Sequence, residues 1–129
     1  MSIFTEQKRV GDWLKGEPDG IVDYCREKVT ILAGESLVTG TVLGKITSSG
    51  KYVGYDVAAT DGSQNAAAIL YTDRIDGSTS ADQIATAIVR GPCVISDAGL
   101  SWAADVVSGD KTAALAALKA LGIINRGGA

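Results

Sequence analysis

The sequence predicts a mainly β protein: a compact body of short, bent strands with one short C-terminal helix, preceded by an extended N-terminal arm over residues 1–28. Three observations carry this. Between residues 29 and 95, runs rich in Val, Ile, Thr and Tyr alternate with glycine-containing turns. Glycines also fall inside those runs, at Gly40, Gly44 and Gly54, where a bulge, a bend or a close backbone approach is needed to justify the lost strand stability. Beyond Asp110 the pattern changes to leucines at helical spacing.

Taken in order, residues 1–28 mix charges of both signs, contain Gly11, Gly16, Pro18 and Gly20, and keep no period, as an arm does. Apolar side chains are spaced along it: Ile3, Phe4, Trp13, Leu14, Ile21, Val22 and Tyr24. A polar segment with spaced anchors either folds back onto its own body or orders on a partner. In the second case these seven residues are the candidate binding set. Residues 29–129 then form a single β-rich domain, with strands expected over residues 29–32, 37–46, 51–57, 66–71 and 83–95. The turns Ala33-Gly34-Glu35, Ser48-Ser49-Gly50, Asp61-Gly62-Ser63 and Asp76-Gly77-Ser78 supply residues that tolerate positive φ. Weak alternation in Ala66-Ala67-Ala68-Ile69-Leu70 suits a strand covered on both faces. Asp110 is the expected N-cap of a helix carrying Leu115, Leu118 and Leu121, and Gly122 ends that helix as a C′ residue. Residues 123–126 return as a short strand. Trp102, between body and helix, packs as a core cap or forms a subunit contact, since tryptophan is enriched at interface hot spots.

At 129 residues the chain has room for one domain. Its net charge of −3, with signs interspersed, offers no basic stripe for nucleic acid. No stretch reads as a secretory signal or a membrane span, so neither a membrane nor direct nucleic-acid binding is expected. Cys25 and Cys93 read as thiols without a bridge.

The absence of histidine removes imidazole-based triads, bases and most zinc sites. With two cysteines, a four-cysteine zinc site within one chain is also excluded. Gly40-Thr41-Val42-Leu43-Gly44-Lys45-Ile46-Thr47 looks like a phosphate loop, but it has one residue too few between its glycines and Ile46 where a hydroxyl is needed. Asp73, Asp76 and Asp82 around Gly77 lack the ligand spacing of a calcium loop. Paired carboxylates for glycoside hydrolysis find no aromatic-rich cleft in the sequence. No catalytic residue, metal or cofactor is expected, and the chain reads as a binding protein rather than an enzyme.

From Tyr24 to Arg126 the string resembles the head decoration proteins of tailed phages, the lambda protein D type. The resemblance is carried in order by Arg26-Glu27-Lys28-Val29-Thr30-Ile31, Ala33-Gly34-Glu35, Gly40-Thr41-Val42-Leu43-Gly44-Lys45-Ile46 and Ser49-Gly50-Lys51-Tyr52-Val53. It continues through Asp61-Gly62, Ala68-Ile69-Leu70, Val89-Arg90-Gly91, Leu100-Ser101-Trp102 and Leu118-Lys119-Ala120-Leu121-Gly122-Ile123. It implies a β-clip or β-tulip-like body, made in the host bacterial cytoplasm and seated as a homotrimer at threefold positions outside the expanded capsid. There the protein would cement the major capsid protein against DNA pressure, with the arm and the capsid-facing side of the trimer as binding parts. Two other readings stand beside it. One is a carbohydrate-binding β-clip module, whose Ala-Gly-Glu turn is echoed at residues 33–35. The other is a different phage virion accessory protein.

Overall fold

The computed structural model describes residues 10, 13–16, 25–77, 81–103 and 105–126. Among them are ten strands and one α-helix, the mainly β body with a single C-terminal helix that the sequence predicts. Five strands close into a barrel: β2 (Arg26–Ile31), β4 (Val42–Lys45), β5 (Tyr52–Gly54), β6 (Ala66–Leu70) and β8 (Gln83–Ile88), in the order β2-β5-β4-β6-β8. The longest pairing is antiparallel, from Arg26 opposite Ile88 to Ile31 opposite Gln83. Closure comes from one parallel pair, Ile31 with Tyr52.

Because side chains alternate across a strand, each barrel strand feeds one face into the interior. Val29, Ile31, Leu43, Ala68, Leu70, Ala85 and Ala87 form that inner cluster. Alanine suits a barrel this narrow. The opposite side of β6 is also covered, since Ile69 belongs to a second cluster with Trp13, Ile88, Ile95, Leu118 and Ile123. The run of small residues from Ala66 is therefore buried on both faces, as its weak alternation suggests.

The second cluster lies between the barrel and an outer layer. That layer is a sheet of β1 (Leu14–Gly16), β9 (Cys93–Ile95) and β10 (Ile123–Asn125), with β9 central, antiparallel to β1 and parallel to β10. Helix α1 (Ser108–Ala120) joins it, burying Ala114 and Leu118. A two-stranded ribbon of β3 (Leu37–Val38) and β7 (Arg74–Ile75) adds Leu37 and Ile75 to the inner cluster.

Several boundaries differ from the expected ones, each for a local reason. The run over residues 37–46 breaks at Gly40, whose φ of +86° turns the chain. The run over 83–95 breaks at Gly91-Pro92, where proline has no N–H to continue a ladder. Strands β1 and β7 were not expected at all. Segments 13–16 and 25–28 of the presumed arm lie in the body, as strands or directly beside them. The helix begins two residues before Asp110, which is its third residue rather than its N-cap. The Asp110 carboxylate accepts the Val107 N–H at 3.2 Å, still opposing the positive end of the helix. Gly122 follows the helix with φ +90°, its N–H reaching the Lys119 carbonyl at 2.9 Å, as a C′ glycine does. Gly44 meets two of its expected demands: the β4–β6 register shifts there, and a Cβ would overlap the Ser63 backbone.

Two exposed aspartates tie the loops. The Ser63 hydroxyl and amide donate to Asp61 at 2.6 and 3.0 Å. Asp82 takes Lys51 Nζ at 2.6 Å and the Ala33 N–H at 2.9 Å. For Asp61, the Ser63 hydroxyl above all holds the carboxyl below its usual range, and Lys51 does the same for Asp82. A depressed folded pKa means that this stabilisation is present above the unfolded carboxylate value and is lost as pH falls through the folded one. Urea midpoints measured across pH are expected to begin dropping below about pH 4, and Asp82→Asn is expected to flatten that drop. An unchanged acid limb in the variant would remove Asp82 from the account.

Candidate functional site

Local chain geometry opens a groove at one end of the barrel. Thr41 donates its hydroxyl to the Val38 carbonyl at 2.7 Å, tightening the turn between β3 and β4. Across from it, Thr41 bridges Ser101, whose N–H reaches the Gly40 carbonyl at 2.9 Å. The Tyr55 N–H bonds the Val42 carbonyl at 2.8 Å, and Glu35 accepts the Gly54 N–H at 2.9 Å. Between these pieces lies an open groove of about 540 Å³, lined among others by Glu35, Leu37, Tyr55, Asp56, Trp102 and Asp105. Among the described residues that line it, three are carboxylates and none is lysine or arginine.

Trp102 stands as a ridge. Its other side borders a second groove of about 350 Å³ with Asp97, Ala98, Leu100, Lys111 and Leu115. The indole meets the Tyr55 ring edge-on at 6.3 Å and 72°, and Lys111 Nζ sits 5.8 Å over it. Burial, then the Asp110 charge, pushes the Tyr55 phenol up, so it stays neutral. Its hydroxyl donates to the Asp110 carbonyl at 3.5 Å, pinning the ridge to the helix start. A half-buried tryptophan between two grooves is what a hot spot needs: a ring held in place with apolar surface still to bury.

A third concavity, of about 400 Å³, lies toward the other end of β4 and β5. Glu27, Lys45, Tyr52, Val89, Arg90 and Leu121 border it. Arg90 pairs with Glu27 at 2.9 Å. Lys45 Nζ lies 5.8 Å over the Tyr52 ring, and the Tyr52 phenol is pushed up by burial and then by the Glu27 charge.

The expected binding residues fall in different places. Trp13 is 0% exposed; its indole N–H donates to Thr39 at 3.0 Å, so it anchors the core of its own chain. Leu14 packs against the same cluster. Ile3, Phe4, Ile21, Val22 and Tyr24 lie outside the described residues. Trp102 is at the surface, beside the grooves. Both cysteines are buried without a disulfide. Among the described residues no group of three His, Cys, Asp or Glu side chains could hold a metal ion. No described helix is long and apolar enough to cross a membrane.

The sequence reading missed the groove. Glu35, the pair Tyr55-Asp56, and Asp105 come from three separate loops, and an aromatic-lined cleft does exist although none was expected. The one available signal was Trp102, an isolated large ring outside any strand.

A family model described as bacteriophage lambda head decoration protein D matches residues 3–123. Among curated proteins, no match is found.

Proposed function

Because the chain belongs to the bacteriophage lambda head decoration protein D family, we propose that it sits as a homotrimer at the local threefold positions outside the expanded phage head. There it clamps the major capsid protein and holds the shell against DNA pressure. Capsid decoration is the family's role, and the match over residues 3–123 is the observation that carries the reading. It takes in the barrel, the Trp102 ridge and the helix. The work asked of the protein is association rather than chemistry, and it acts as a structural protein of the virion surface after synthesis in the host bacterial cytoplasm.

Capsid contact is assigned to the N-terminal segment, through Ile3 and Phe4 and through Ile21, Val22 and Tyr24. An extended segment that adds to a coat-protein sheet edge gains backbone hydrogen bonds with little demand on sequence. Three such segments on one trimer reinforce one another, and linkage of this kind raises affinity by about 10²- to 10⁴-fold. Trp102 is assigned to the contact between subunits.

Deletion of residues 1–9 separates binding from folding, because Trp13 and β1 remain. The truncated protein is expected to keep the far-ultraviolet dichroism and urea midpoint of the full chain, and to stop co-sedimenting with expanded heads built from the coat protein of the same phage. Retained co-sedimentation would take the contact off Ile3 and Phe4 and leave it to Ile21, Val22 and Tyr24. Failure of the full-length chain to bind those heads, while an established decoration protein binds its own, would end the decoration reading for this chain.

A further inference from the structure

We propose that the acidic groove beside Trp102 on one copy of the chain receives the Lys45–Leu121 face of a second copy, so that subunits associate head to tail. The proposal rests on the homotrimer reading and names the surfaces that would build it.

The groove has the composition of half an interface. Leu37, Val42, Tyr55 and Trp102 give it an apolar floor, and Glu35, Asp56 and Asp105 supply negative charge with no lysine or arginine lining it among the described residues. Uncompensated carboxylates around an apolar floor select a partner that is apolar with a cation. The same chain displays such a face. Leu121 is 40% exposed, and it borders the third concavity with Val89, Ala117, Tyr52 and Lys45. Arg90 in that face is matched by Glu27, whereas Lys45 has no carboxylate partner among the described residues. One lysine is therefore available to an incoming acid.

The two faces are distinct patches toward opposite ends of one strand. Strand β4 runs from Val42, in the groove, to Lys45, in the basic face, about 10 Å further along the strand. Two different patches on one body make a heterologous contact, and three copies related by a threefold axis close such contacts into a ring with no patch left over. Asp105 is the acid best placed to meet Lys45. Glu35 and Asp56 already accept the N–H groups of Gly54 and Ala58, whereas Asp105 is an exposed groove residue.

The test is charge exchange, read by sedimentation equilibrium over a wide range of protein concentration. Lys45→Glu and Asp105→Lys each place like charges across the contact. With about a tenfold loss at each of three identical contacts, each single change is expected to lower the trimer formation constant about a thousandfold. The double variant Lys45→Glu/Asp105→Lys restores opposite charges and is expected to recover most of that loss. Unchanged circular dichroism in the single variants keeps misfolding out of the result. Wild-type trimers with single variants that also stay trimeric would overturn this interface and leave the homotrimer reading standing. Single variants that dissociate without rescue in the double would overturn the pairing of these two faces. Where the free chain is monomeric the same variants are compared on expanded heads, and a wild-type chain that forms no threefold clusters there either would overturn the homotrimer reading and the interface with it.

Discussion

Trp13→Ala is expected to cost about 3–5 kcal/mol of folding stability, the range found when a large buried aromatic is truncated. The ring is fully buried in the cluster between the barrel and the outer sheet, in company with Ile69, Ile88, Ile95 and Leu118. Its surroundings cannot collapse easily into the space. Gly40 is held at φ +86° beside it, and a Cβ on that glycine would stand 2.8 Å from the Trp13 Cδ1. Barrel residues Ile69 and Ile88 and outer-layer residues Ile95 and Leu118 share the ring's cluster. Truncation also removes the donor to Thr39, although that hydroxyl keeps its own bond to the Tyr71 carbonyl at 3.0 Å. The cavity is thus the main cost. Urea unfolding followed by circular dichroism gives the difference directly. A loss below about 1 kcal/mol, the scale of a surface substitution, would show that the indole is not a core element. The result bears on function, because a tryptophan committed to the core cannot be a capsid anchor. A wild-type-like Trp13→Ala protein defective in head binding would return the residue to the arm.

What the sequence made legible follows the range of the physics involved. The end of α1 at Gly122 depends on residues next to one another and was readable; of strand β2 the run from Val29 was readable, while Arg26 to Lys28 read as part of the arm. Strands β1 and β7 were not readable, because strands of two or three residues exist only through distant partners. Leu14 pairs with Ile95, and Leu37 with Ile75. Trp13 shows the same limit from another side. A lone aromatic in a charged stretch without a period looks identical whether it docks on a neighbour or on its own barrel, and only its neighbours decide. The groove is wholly non-local: Glu35, Asp56 and Asp105 meet because barrel closure brings three loops to one end. Glycines within strands were better guides. Gly44 announced a close approach, although not that Ser63 would supply it.

Gly91→Ala is expected to be at least as damaging as the loss of Trp13, without removing a single atom. A Cβ at residue 91 would overlap the carbonyl oxygen of Gly122, and the nearest alternatives are other backbone atoms of that residue, so no side chain can swing away. Both glycines sit at a seam. The Gly91 N–H bonds the Leu121 carbonyl at 2.8 Å, and the Cys93 N–H reaches the Gly122 carbonyl at 3.3 Å. These bonds fasten the end of α1 to the start of β9, and β10 then runs parallel to β9 from Ile123 opposite Cys93. Relieving the overlap means separating the two chain segments, which breaks the seam bonds at about 1 kcal/mol each and disturbs the burial of Leu118 and Ile123. A loss of about 3–5 kcal/mol is expected, the scale of overpacking combined with a broken hydrogen-bond network. Gly109→Ala is the control. Nothing lies within 4 Å of a Cβ at that exposed helical position, and alanine is favoured over glycine within a helix by up to about 1 kcal/mol. The two substitutions add the same methyl group and are expected to move the urea midpoint in opposite directions. Equal shifts would mean that the helix end and β9 are not in backbone contact, and the outer layer would have to be redrawn.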